Sequence, residues 1–156
     1  MASFLSYDDP LKTAKIRLSP KYIRPRDLEN MSEKDLTGER KTILLAEDDA
    51  SMRRYIEIIL KNAGFDVISE EDGLAAMQTA FNTSIDAVIA DAIMPNMTGY
   101  DLCRMLRNNP DKNEVPLIIL SGLDSMNKTG DLADAYIVKS ETLKEDLIKT
   151  LSNFFS

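Results

Sequence analysis

Thr42-Ile43-Leu44-Leu45-Ala46-Glu47-Asp48-Asp49-Ala50-Ser51-Met52-Arg53-Arg54-Tyr55-Ile56-Glu57-Ile58-Ile59-Leu60-Lys61-Asn62-Ala63-Gly64 is the stretch that decides the fold. Its first five residues are an apolar run of strand length, cut off abruptly by three carboxylates. Then Met52, Tyr55, Ile56, Ile59, Leu60 and Ala63 recur every three or four residues, the stripe of an amphipathic helix, and Gly64 stands where that helix should stop. Asp49, one place past the acidic pair, falls where it can cap the helix.

The same alternation continues to the end of the chain. Phe65 to Ser69 reads as a second strand, followed by a helix that Asp72 can cap and that carries Leu74, Met77 and Phe81 inward. Ile85 to Ala90 is a third strand closed by Asp91; a loop, Ala92 to Met97, leads to a helix from Thr98 to Asn108 with Leu102, Met105 and Leu106 on its inner face. Val115 to Leu120 is the fourth strand and Ala135 to Val138 the fifth, before a last helix marked by Leu143, Leu147, Ile148, Leu151 and Phe154. Strands this apolar, alternating with helices, imply an α/β domain with a doubly wound five-stranded parallel sheet covered on both faces. Between the fourth and fifth strands, Asp124 to Leu132 has little apolar content and contains Gly130, so the fourth helix is expected to be shortened or irregular.

Composition narrows the chemistry. The chain has 156 residues, 44% of them hydrophobic, with a net charge of -7, no His and a single Cys. Without His there is no Ser-His or Cys-His triad, no imidazole metal site and no phosphohistidine carrier; without a second Cys there is no internal disulfide. No apolar run approaches the roughly 20 residues that cross a bilayer, and no signal peptide opens the chain, so a cytoplasmic protein without membrane insertion is expected. Charge is divided unevenly: residues 1–41 carry 9 basic and 7 acidic side chains, residues 42–156 carry 10 and 19. Residues 1–41 thus read as a basic N-terminal extension, mostly linker-like because of Pro10, Pro20 and Pro25, with a possible short helix over Asp27 to Leu36, and residues 42–156 as the folded domain.

In parallel α/β sheets the functional crevice lies beyond the carboxyl ends of the strands. Those ends read Glu47-Asp48-Asp49, Asp91, Ser121-Gly122 and Lys139-Ser140. Taken singly, an Asp after a strand is usually a helix cap or turn residue. Jointly, the four segments bring carboxylates, a hydroxyl and an amine to one rim. Clustered carboxylates repel unless a cation neutralises them, and Mg2+ suits an oxygen site that also meets phosphate. Beside a Lys, such a site can receive a phosphoryl group on an Asp nucleophile.

These residues resemble the response-regulator receiver domain of two-component signalling, a CheY-like, flavodoxin-like fold. The resemblance rests on Glu47-Asp48, on the run Asp91-Ala92-Ile93-Met94-Pro95-Asn96-Met97-Thr98-Gly99, on Leu120-Ser121-Gly122 and on Ala133 to Lys139, and it spans Thr42 to about Phe155. It implies an aspartyl phosphate at Asp91; Mg2+ bound by Asp48, Asp91 and the backbone carbonyl of Ile93, with Glu47 acting through water; Lys139 and Ser121 on the phosphoryl oxygens; and backbone N–H contacts from Ala92 and Gly122. Tyr136 resembles the aromatic switch that turns inward with Ser121; alternatively it is a half-buried strand aromatic.

Three departures from that family pattern matter. Ser140 stands where Pro usually follows the Lys; a cis bond there would cost about 2.5–4 kcal/mol, so a trans peptide is expected. The Ser121 to Lys139 interval is about one helical turn short, which puts the usual output face of the fourth helix, fifth strand and fifth helix in question. Ile93 and Leu123 flank the phosphoryl site with side chains unable to orient water, so self-hydrolysis of the phosphoform should be slow.

The resemblance implies a phosphoacceptor response regulator or phosphorelay intermediate whose Mg2+-dependent phosphorylation switches protein–protein interactions. Its phosphodonor would be a histidine kinase or histidine phosphotransfer protein, and its output a downstream protein target. Alternatives are a receiver module of a hybrid histidine kinase, with the extension as interdomain linker, and an aspartate-nucleophile phosphatase. The phosphatase is disfavoured because Ile93 occupies the place of the second acid. Nucleic-acid binding is disfavoured too, since the basic residues of the extension come with no recognition motif. Cys103 reads as core filler.

Overall fold

The structure is a computed structural model and describes residues 39–122 and 132–156. The extension up to Gly38, its possible helix and, Leu132 apart, the expected irregular fourth helix lie outside the described residues.

The elements run β1 (Thr42–Ala46), α1 (Ala50–Asn62), β2 (Asp66–Glu70), α2 (Gly73–Asn82), β3 (Ala87–Asp91), α3 (Gly99–Arg107), β4 (Leu117–Ser121), β5 (Ala135–Val138) and α4 (Leu143–Phe155). All five strands pair in parallel in the order β2-β1-β3-β4-β5. The order reverses at β1 and β3, which leaves a crevice at the carboxyl ends of these strands.

Alternation along each strand splits the core in two. Ile43, Leu45, Ile89, Ile118 and Leu120 face α1 and α4, packing with Ile56, Leu60, Leu143, Leu147 and Leu151. Leu44, Ala46, Val88, Ala90, Leu117 and Ile119 face the other way, onto Ala76, Ala80, Leu102, Cys103 and Leu106 of α2 and α3. Sheet residues buried on both faces explain why the strands are continuous apolar runs rather than alternating ones.

The strands and caps match the sequence closely, with β2, β3 and β4 shifted one or two residues toward the carboxyl end. Asp49 accepts from the Met52 amide at 2.7 Å and Asp72 from the Ala75 amide at 2.8 Å. Gly64 has φ 94°, a left-handed conformation that ends α1 at little cost for a residue without a side chain.

The helix faces need correction. Tyr55, Leu74, Phe81 and Met105, expected inward, are exposed. In α2 the inner positions are Gly73, Ala76 and Ala80. At the start of α2 the physical reason is close approach: a Cβ on Gly73 would collide with the Met97 carbonyl, so the helix seats its glycine against that backbone and leaves Leu74 outside, while Met77 packs partly buried against the core as expected. In α3, Cys103 takes the buried place assigned to Met105.

Candidate metal and phosphoryl site

Glu47 and Asp48 leave the end of β1, Asp91 ends β3, Ser121 ends β4 and Lys139 follows β5. The parallel register brings these distant segments to one rim: Asp91 pairs with Leu120, Ser121 with Val138, and the Lys139 amide donates to the Ser121 carbonyl at 2.8 Å.

Glu47, Asp48 and Asp91 each bring a carboxylate oxygen within 4.8 Å of the other two. Glu47 is fully buried, Asp91 nearly so, and Asp48 is open to solvent. Lys139 Nζ lies 2.8 Å from Glu47 Oε2 and 2.9 Å from Asp91 Oδ2. The second Glu47 oxygen, Oε1, accepts from the Asp49 amide at 3.1 Å. Burial pushes the Glu47 carboxyl above its ordinary value, and the Asp91 charge adds to this against the pull of Lys139. Burial also works against the Lys139 charge, but its bonds to Glu47 and Asp91 outweigh that and hold its pKa above the ordinary lysine value.

Ser121 Oγ is buried and makes no hydrogen bond among the described residues. A buried hydroxyl is ordinarily partnered, and this one, at the end of β4 next to the strand end that carries Asp91, keeps its donor to spare among the described residues. Three carboxylates with one compensating ammonium leave an excess of negative charge, and all three side-chain donors are hard oxygens. That set fits Mg2+.

Other residues fall into place less evenly. Tyr136 packs partly buried against the α2/α3 side of the core, and its hydroxyl accepts from the Ala133 amide at 3.3 Å. Ile93 is 66% exposed beside the site. The Ala92 amide, expected at the phosphoryl group, donates to the Leu120 carbonyl at 2.8 Å instead, because β3–β4 pairing runs one step past Asp91. The Ile93 amide is the one turned toward the carboxylate, 3.5 Å from Asp91 Oδ1. Every described peptide bond is trans, Lys139–Ser140 included. Two further residues shape the site: Arg53, to which sequence reasoning gave no role, and Gly99, which it quoted only as the end of the Asp91–Gly99 run. Arg53 of α1 donates to the Glu47 carbonyl at 2.7 Å, a contact the helical spacing from Asp49 makes available. Gly99 sits so close that a Cβ would strike the Asp91 carbonyl oxygen.

The family model described as the response regulator receiver domain matches residues 43–151. The chain belongs to this family, and its folded part is a receiver domain. Among curated relatives it is 33% identical to the response regulator ArlR of Staphylococcus saprophyticus, over 69% of this chain and 49% of that protein. It is 31% identical to the protein PilG of Pseudomonas aeruginosa, over 68% of this chain and 81% of that one. This chain spans about half the length of the first curated relatives it matches. Among solved structures, the receiver domain of a sensor histidine kinase from Pseudomonas aeruginosa, with magnesium coordinated in its active-site cleft, superposes with TM-score 0.68 at 26% identity, covering 75% of this chain and 99% of that one. The chemotaxis response regulator CheY4 of Vibrio cholerae gives TM-score 0.68 at 28% identity, covering 74% and 98%.

Proposed function

We propose that this chain is the phosphoacceptor of a two-component or phosphorelay system and that Asp91 is the residue phosphorylated. The observation that carries this reading is the grouping of the Asp91 carboxylate with two further carboxylates and with the Lys139 ammonium at 2.9 Å, while Ser121 ends the neighbouring strand with a hydroxyl that makes no hydrogen bond among the described residues. An Asp91 carboxylate oxygen attacks the phosphorus of a phosphohistidine on a histidine kinase or phosphotransfer protein. The O–P bond forms as the P–N bond breaks, and the electron pair stays with the imidazole, which takes up a proton.

Asp48, Asp91 and the Ile93 backbone carbonyl would hold Mg2+, with Glu47 acting through water; the ion, when bound, offsets charge on the phosphoryl oxygens. Lys139 exchanges its contact with Asp91 for one to the phosphoryl group. Ser121 donates its hydroxyl, and the amides of Gly122 and Ile93 supply further donors. Drawing Ser121 toward the phosphoryl oxygen vacates space on the core side of β4, into which the Tyr136 ring moves. The changed surface alters binding to a downstream protein target. On this reading residues 42–156 are a cytoplasmic signalling domain rather than an enzyme, its only turnover slow self-dephosphorylation, and residues 1–41 are an appended extension.

Incubation with Mg2+ and acetyl phosphate, followed by intact mass measurement, tests the assignment. Wild type should gain one phosphoryl group and Asp91→Asn none. Equal modification of the variant overturns it.

A further inference from the structure

Glu47 and Asp48 stand on the short connection between β1 and α1 and carry two backbone carbonyl oxygens there. One side chain collects them. Arg53 Nη1 donates to the Glu47 carbonyl at 2.7 Å and approaches the Asp48 carbonyl at 3.5 Å. Arg53 is itself partly buried, and its own amide closes the first turn of α1 on the Asp49 carbonyl at 2.8 Å. The guanidinium therefore ties the acidic connection to a helix already fixed by the Asp49 cap and by Ile56, Ile59 and Leu60 in the core.

We infer that Arg53 is a positioning residue for the metal site, holding the Glu47–Asp48 backbone so that both carboxylates face Asp91. This rests on the reading of the carboxylate cluster as an Mg2+ site. The connection has few other restraints: the Glu47 amide is held by the Glu70 carbonyl at 3.1 Å and the Glu47 side chain by Asp49 and Lys139. Among the described residues no other side chain anchors the carbonyls of Glu47 and Asp48. Asp48 is exposed, so its orientation depends on its backbone rather than on packing.

Two physical roles for Arg53 differ in sign. If its charge alone mattered, a nearby cation would repel Mg2+, and removing it would tighten binding. If it acts as a clamp, removal loosens the ligands, and outer-shell partners of metal ligands typically contribute about 10–100-fold in affinity. Calorimetric titration of the full chain with MgCl2 separates the two. Arg53→Ala should weaken Mg2+ binding about tenfold or more, and Arg53→Lys, which retains one donor and the charge, should recover part of that loss. Melting curves in EDTA establish that each variant is folded, and the more conservative Arg53→Lys keeps the test open if the alanine variant is not. Arg53→Ala binding as tightly as wild type or tighter overturns the clamp, as does Arg53→Lys equal to wild type if only that variant folds. Absence of Mg2+ binding by wild type, or binding undiminished in Asp48→Asn, instead overturns the metal-site reading.

Discussion

Lys139 Nζ lies 2.8 Å from Glu47 Oε2, closing an ion pair over a carboxylate that has no exposure to solvent. The pair does not make Glu47 an easy charge to carry, because burial and the neighbouring Asp91 hold its pKa above 4.5. A carboxyl that binds its proton more tightly folded than unfolded lowers stability as pH rises through that interval, and the loss persists above it. Glu47→Gln removes this charge at nearly constant shape. Measured in EDTA, the melting temperature of the variant relative to wild type should climb as pH rises from 4.5 toward neutrality. A difference that stays flat or falls with pH contradicts the argument.

The same pair makes an opposite prediction at alkaline pH. Lys139 is held above its ordinary value of 10.5 despite burial, by Glu47 and Asp91. A folded-state pKa raised above the unfolded one contributes stability that is fully present below the unfolded value and disappears as pH climbs through the folded value. Wild type should lose stability above pH 10.5 more steeply than Lys139→Met. Urea denaturation at a series of alkaline pH values checks this; parallel curves for the two proteins refute it.

Gly99 fixes α3 against the end of β3. Its amide donates to the Ala92 carbonyl at 3.1 Å, and a Cβ would meet the Asp91 carbonyl, an obstacle of backbone rather than a flexible side chain. Gly99→Ala must therefore shift either α3 or the strand end that carries Asp91. Overpacking of this kind costs about 1–3 kcal/mol. Urea denaturation should show that loss, and phosphorylation from acetyl phosphate should slow alongside it. An unchanged midpoint would mean that α3 can withdraw freely.

What the sequence made legible followed from periodicity and from the chemistry of strand ends. Five apolar runs and two Asp caps placed β1 to β5, α1 and α2, because buried parallel strands have no polar alternation to confuse the reading. Glu47, Asp48, Asp91, Ser121 and Lys139 were visible because the fold delivers every such end to one rim. The inward faces of α2 and α3 were legible only in part: Leu102 and Leu106 are buried and Met77 packs against the core, as the spacing predicts. Size suggested Leu74, Phe81 and Met105, whereas Gly73, Ala76 and Ala80 of α2 and Cys103 of α3 take the buried positions. Arg53 was hidden for another reason: its role is a bond to backbone carbonyls, which leaves no mark on residue type at the accepting positions. The bond from the Ala92 amide to the Leu120 carbonyl was not legible, because strand pairing past Asp91 depends on register, which composition does not fix.

Cys103 provides an internal clock for opening of the domain. It is fully buried between α3 and the sheet, and burial pushes its thiol up to about 12, far from a reactive thiolate at neutral pH. It should resist a disulfide exchange reagent in the native state and react only as fast as the region opens. Labelling should accelerate in parallel with loss of helical signal as urea is added. Stoichiometric labelling within seconds in native buffer would place the thiol at the surface.

Ile93 is a large apolar side chain standing 66% exposed two residues after Asp91. Hydrolysis of an aspartyl phosphate needs a water aligned with the phosphorus, and a hydrogen-bonding side chain at this position could hold one. Ile93 can only exclude it. The phosphorylated chain should therefore decay slowly, over minutes or longer, and Ile93→Asn should shorten its lifetime several-fold while leaving the three carboxylates and Lys139 in place. Loss of phosphoryl label after removal of the donor measures both rates. A wild-type lifetime of seconds, or an Ile93→Asn variant no faster than wild type, would show that something other than this side chain governs access of water.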